Sequence, residues 1–296
     1  MQRLVNIPYR EEINISNYRN LSHSKVDVYG VRINFYSKNS NLIRFIKRKF
    51  SLMQYYKLND RRYKLLNKKI DVILNTKEQA PSREELAYIN NDTNGLIAEA
   101  LSNKCIFFHA SCIASDENYL LFLGVSRSGK STIATCLKNR GFTLLADDDS
   151  VLEYNSLKAL PFPCFGNLRT MTAFLNKFVK RDGNINNYIY NAPDSEFKEI
   201  YDLGIRLYEN KFSDIKKKKR NFIFIKGRIN GKPSLEAADK TDPETIKLFF
   251  RFIKTSGEKR NDKILEIMDL YTKSNMYFLI MGTPEDTAGL ILEKFQ

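Results

Sequence analysis

The stretch GVSRSGKST, residues 124–132, decides how this chain is read. It meets the formula G-x-x-x-x-G-K-[ST] with Gly124, Gly129, Lys130 and Ser131. Each position has a physical task. Glycines let the backbone curl until several N–H groups converge on one anion, and a helix starting there adds the positive end of its dipole. Ser126, Arg127, Ser128 and Thr132 fill out the expected cradle. Lys130 is the residue expected to reach the β and γ phosphates of a nucleotide. The Ser131 hydroxyl is of the kind that Mg²⁺ accepts as a ligand.

The flanks agree with this formula. Upstream, CIFFHASCIAS (105–115) reads as a strand, DEN as a tight turn and YLLFLG as a buried strand running into the loop. Downstream, KSTIATCLKNR reads as a helix with Ile133, Ala134 and Leu137 on one face, and Gly141 is placed to end it. FTLLADDD follows, an apolar strand closing on Asp147, Asp148 and Asp149. Acids in that position are often a plain polar turn, and Asp149 is open to that reading. At the carboxyl end of a strand beside a phosphate loop, however, one carboxylate can hold a metal and another can accept a proton from an attacking hydroxyl. His109, between Phe108 and Ala110, reads on its own as a core histidine.

Together these residues resemble the HPr kinase/phosphorylases and the related peptide-modifying kinases. The resemblance is carried by FHAS at 108–111, the loop at 124–131, RG at 140–141 and LLADD at 144–148. His109 stands fifteen positions before Gly124, and Ser131 sixteen before Asp147. The resemblance implies a kinase using ATP and Mg²⁺. In it Asp147 acts as base on the acceptor hydroxyl, His109 assists that carboxylate, and Asp148 helps organise the metal, although sequence does not separate the roles of the two aspartates. LPFPCFGNLRT (160–170) is similar to the segment that follows the core in such kinases. Arg169 is thereby a candidate phosphate or acceptor contact, and equally an ordinary surface arginine. The likeness is specific over about 105–150. Thr132 stands where bacterial members have an acid, and Arg127 brings a long cation into a loop of small residues. These departures point away from HPr itself. They favour divergent members similar to lasso-peptide precursor kinases, which phosphorylate a serine of a peptide.

The expected fold class is therefore α/β, with a P-loop catalytic domain over 96–296 of the HPr kinase/phosphoenolpyruvate carboxykinase type. A small N-terminal α/β domain over 1–95 precedes it. In that first part VDVYGVRINFY and KKIDVILNT read as strands, RFIKRKF (44–50) as part of a basic amphipathic helix, and APSREELAYINND (80–92) as the joint. Beyond the core, NFIFIKGRINGKPSLEAAD reads as strand and turn, DPETIKLFFRFIKT as a helix entered at Pro243, and MYFLIMG as a last strand. Phe249, Phe250 and Phe252 read as packing.

Bulk properties set the outer limits. With 296 residues, 43% of them hydrophobic, the chain can build substantial cores. No run of about 18 apolar residues predicts a membrane span, and no signal peptide is read, so a cytosolic protein is expected. Cys105, Cys112, Cys136 and Cys164 form no metal-binding or disulfide pattern, and only His23 remains beside His109. The excess of 48 Lys+Arg over 34 Asp+Glu, a charge of +14, favours an anionic partner. For KKKKR (216–220) a solvated surface role is preferred to nucleic-acid binding. Rival readings are a phosphoenolpyruvate carboxykinase, a kinase of free serine, and a nucleotide-binding switch. A homo-oligomer is compatible with the resemblance.

Overall fold

The computed structural model describes residues 3–7, 21–55, 65–74, 83–154, 156–162, 218–254 and 262–296. It is a mixed α/β chain with several sheets, and it divides into two compact units, Met1–Lys104 and Cys105–Gln296. The division falls beyond the expected 95/96 point because a helix runs unbroken across it. Arg169 and Cys164 lie outside the described residues.

The first unit is a four-stranded sheet. Its strands are β1 (Arg3–Ile7), β2 (Ser22–Val28), β3 (Val31–Ser37) and β4 (Lys68–Leu74), in the order β1-β4-β3-β2. Strands β2 and β3 form a tight antiparallel hairpin through Tyr29 and Gly30, both at positive φ (55° and 88°). That is the twist two-residue hairpin turns require. Helix α1 (Ser40–Tyr55) buries Leu42, Ile43, Ile46 and Phe50, the spacing of one helical face, and the Phe50 ring stacks on Phe35 at 6.1 Å. Helix α2 (Arg83–Leu101) occupies much of the segment that reads as a joint, since Glu84, Glu85, Leu86 and Ala87 are good helix formers.

In the second unit the strands are β5 (Cys105–Phe108), β6 (Ala110–Ala114), β7 (Asn118–Leu123), β8 (Thr143–Ala146), β9 (Ser150–Glu153), β10 (Ala159–Leu160), β11 (Lys219–Arg228), β12 (Ser234–Ala237) and β13 (Asn275–Met281). Six of them make one sheet in the order β12-β13-β11-β7-β6-β8, and a smaller sheet runs β10-β9-β5. Strands β7, β11 and β13 are parallel, so they all end on one edge. The helices are α3 (Lys130–Lys138), α4 (Pro243–Arg251), α5 (Ile264–Thr272) and α6 (Pro284–Phe295). Helix α4 starts as its sequence indicates: Asp242 accepts from the Glu244 N–H at 3.0 Å, with Pro243 in the first turn. Phe249 is fully buried, its ring 5.1–5.4 Å from those of Phe108, Phe222 and Tyr271, so it serves as packing.

One feature of this topology organises everything else. Residues 105–115 read as a single strand, but they form two, β5 in the small sheet and β6 in the large one, with the change at His109. Residues 143–153 do the same, with β8 in the large sheet, β9 in the small one, and Asp147–Asp149 at the crossing. Because β5 pairs with β9 and β6 with β8, the two crossings lie side by side. Ser150 Oγ ties them, donating to the Ala110 carbonyl at 2.7 Å.

Candidate functional site

The glycine loop joins β7 to α3 at that same parallel edge. It starts at Gly124, where a side chain is excluded: a Cβ there would lie 2.4 Å from Ser128 Oγ and 3.3 Å from Ile225 Cβ. A turn follows, closed by the Ser128 N–H donating to the Val125 carbonyl at 3.1 Å. Ser126 and Arg127 are exposed on it. Arg127 has φ 69°, a left-handed conformation that costs a non-glycine residue on the order of 1 kcal/mol. Gly129, at φ 101°, occupies the cap position of α3 and offers no side-chain cap to it. The first turn of α3 also holds no acid, so its leading N–H groups and dipole are uncompensated from within the helix. Ser128 Oγ is buried without a hydrogen-bond partner among the described residues.

Lys130 is 5% exposed, and its ammonium turns back on the loop, donating to the Gly124 carbonyl at 2.8 Å and the Val125 carbonyl at 3.2 Å. Burial lowers its pKa, and the nearby Asp148 and Asp147 oppose that. Thr132 is half-buried in the first turn of α3. Ser131 reaches across to β8: its hydroxyl donates to Asp147 Oδ1 at 2.9 Å.

Asp147 is 4% exposed, and a second hydroxyl, that of Ser111 on β6, donates to the same Oδ1. Oδ2 has no hydrogen bond among the described residues. Burial first, and then the neighbouring Asp148 charge, push the Asp147 carboxyl up to about 6; the two serine hydroxyls and Lys130 pull the other way. Asp148 turns at φ 66° and is half-buried. His109 Nδ1 lies 3.2 Å from the Asp148 carbonyl oxygen, and no hydrogen bond joins it to the Asp147 carboxylate. Burial, Lys130 and Lys254 lower the His109 pKa, so the ring favours its neutral form.

The structure thus brings His109, Lys130, Ser131, Asp147 and Asp148 into one neighbourhood. It also assigns Asp149 a partner: the carboxylate, 8% exposed as a residue, pairs with Lys254 Nζ at 2.5 Å. The chain leaving α4 is stitched to the His109 crossing, with the His109 N–H donating to the Phe252 carbonyl and the Lys254 N–H to the Phe107 carbonyl, each at 2.8 Å. Sequence reasoning passed over Ser111, Lys254 and Arg228, whose guanidinium stands near Gly129. Only Ser111 left a trace, as the last letter of FHAS.

Among the described residues no group of three or more His, Cys, Asp or Glu could hold a metal ion, and no helix is long and apolar enough to cross a membrane. No protein-family model matches the chain, and a search of curated proteins found no match either.

Proposed function

We propose that this protein is a kinase with a P-loop core of the HPr-kinase type, transferring the γ-phosphoryl group of ATP to a serine hydroxyl of a peptide or small protein. The observation that carries the reading is the 2.9 Å bond from Ser131, at the mouth of the loop, to the buried Asp147. That bond sets a hydroxyl of the kind Mg²⁺ accepts, at the start of the helix behind the loop, directly beside the carboxylate that would take the acceptor proton, the juxtaposition phosphoryl transfer needs.

The loop fits a nucleotide's phosphates on independent grounds. Gly124 lets the loop fold tightly back on Ser128, Ser128 Oγ is buried without a partner among the described residues, and α3 starts uncapped. Lys130 rests on two carbonyls of its own loop, a position from which the ammonium can exchange weak acceptors for phosphate oxygens. Gly124, Ser126, Arg127, Ser128, Gly129, Lys130, Ser131 and Thr132 would hold the nucleotide, and Ser131 with Asp148 the metal. ATP supplies the group to be transferred. The protein's part is to position and to neutralise charge.

Asp147 is suited to take the acceptor proton. Its Oδ1 is held by Ser111 and Ser131 while Oδ2 is not engaged, and a carboxyl near 6 is a stronger base than an ordinary aspartate while still ionised at neutral pH. His109, held by the Asp148 carbonyl, keeps that side of the crossing in place. The departures at Arg127 and Thr132 support an acceptor other than HPr, and a precursor peptide of a lasso-type pathway is the acceptor we favour. Incubating the protein with ATP, Mg²⁺ and candidate peptides, followed by mass spectrometry, tests this. A phosphoserine product is expected from the wild type and is lost in Lys130→Ala and Asp147→Asn. Full transfer by both variants would refute the assignment.

A further inference from the structure

A cation outside the sequence formula also approaches the glycine loop. The register of β11 against β13 slips between Ile225 and Gly227, a bulge of the kind that re-aims a strand end beside a site. Past it, Arg228 pairs with Met281, and the Ile229 N–H donates to the Met281 carbonyl at 2.8 Å. Met281 lies against Gly129: a Cβ on that glycine would be 3.1 Å from both its Cε and its Sδ, and 3.7 Å from an Arg228 Nη. The guanidinium is therefore carried to the cap residue of α3 by the sheet itself.

Charge makes that placement informative. A guanidinium cannot release its proton, and here it stands at the positive end of a helix whose first turn holds no acid. None of the ion pairs among the described residues includes Arg228. Lys130 differs, since it has two carbonyls and the field of Asp147 and Asp148. An anion lodged on the loop would supply the counter-charge that Arg228 lacks. Both arginines are exposed, but Arg127 sits on a turn, whereas Arg228 is held at its base by its pairing with Met281 on β13, so its backbone loses less freedom on binding.

We infer that Arg228 is a further ligand for the donor's phosphates, its planar fork closing on oxygens held by the Gly129–Ser131 segment. This rests on the phosphate-loop reading above. Calorimetric titration of the full chain with ADP and with Mg-ATP separates the two ideas. Arg228→Met and Arg228→Gln should each weaken both nucleotides about tenfold or more, the scale of a lost charged hydrogen bond. Arg228→Lys should recover part of the loss, and unfolding without nucleotide should be unchanged in all three. Wild-type affinity in Arg228→Met and Arg228→Gln, alongside lost affinity in Lys130→Met, overturns the role of Arg228 and leaves the loop reading standing. A wild type that binds neither nucleotide overturns both. A loss that comes with an equal fall in nucleotide-free stability, and that Lys does not recover, assigns Arg228 to structure and overturns the inference.

Discussion

Asp147→Asn should make the nucleotide-free protein more stable at neutral pH. The folded carboxyl titrates near 6 against an ordinary 3.8, so the folded state holds the proton more tightly than the unfolded one. For a carboxyl raised in this way, the destabilisation grows as pH rises through the window from 3.8 to about 6 and is fully present above it. At one unit per 1.36 kcal/mol the shift corresponds to roughly 3 kcal/mol at pH 8, falling to about 0.5 kcal/mol near pH 4. Asparagine keeps an Oδ1 to accept from Ser111 and Ser131, so the substitution removes the buried charge without stranding either hydroxyl. A net gain of about 1–3 kcal/mol at pH 8 is expected, on the order of 2–10 °C in the melting temperature of a unit this size. Urea unfolding of wild type and variant at pH 8 and pH 4, followed by circular dichroism, measures it. A variant less stable than wild type at pH 8, or a gain of equal size at pH 4, would refute the reasoning. The same substitution is expected to abolish transfer, the trade between stability and activity that buried charges at working sites impose.

Other perturbations probe the surroundings. Ser111→Ala removes one of the two hydroxyls that hold Asp147 Oδ1, so the acidic limb of the pH–rate profile should move up by about one unit; an unmoved limb would show that Ser111 does not tune this carboxyl. Lys254→Met removes the ammonium that faces the buried Asp149 carboxylate and should cost about 1–2 kcal/mol, the pair being partly open to water, while adding Asp149→Asn should return most of it. A double-mutant cycle in urea reads the coupling, and simple additivity would argue against the pair. Gly124→Ala drives a methyl into Ser128 and should lower ATP affinity at least about tenfold, whereas Gly141→Ala, with open space but φ 102°, should cost about 1 kcal/mol of stability and leave affinity unchanged. Equal affinities for the two variants would show that the closeness of Gly124 to Ser128 does not matter.

Much of the second unit was legible because its signals are local. The loop formula, the apolar run of β7, the face of α3 with Gly141 after it, and the Asp242–Pro243 start of α4 each depend on residues within a few positions of one another. In the first unit the strand character of VDVYGVRINFY was legible for the same reason, but not the turn at Tyr29 and Gly30 that folds it into a hairpin. Boundaries set by continuity were less so: 80–92 reads as a joint, yet α2 starts at Arg83 and runs on to Leu101.

What the sequence by itself determined was a glycine-rich loop of the G-x-x-x-x-G-K-[ST] formula, a helix behind it, and three acids at the end of the next strand. It could not divide those acids among their tasks. Tertiary structure gives them different partners by pairing distant segments: Ser131 and Ser111 meet Asp147 across 16 and 36 positions, and Lys254 meets Asp149 across 105. Hydrophobic periodicity records which face of a segment is buried, but not which sheet the segment joins or where it leaves one sheet for another. The crossings at His109 and at Asp147–Asp149 are choices of that second kind, made by strand pairing, and they bring the histidine and the acids together beside the glycine loop.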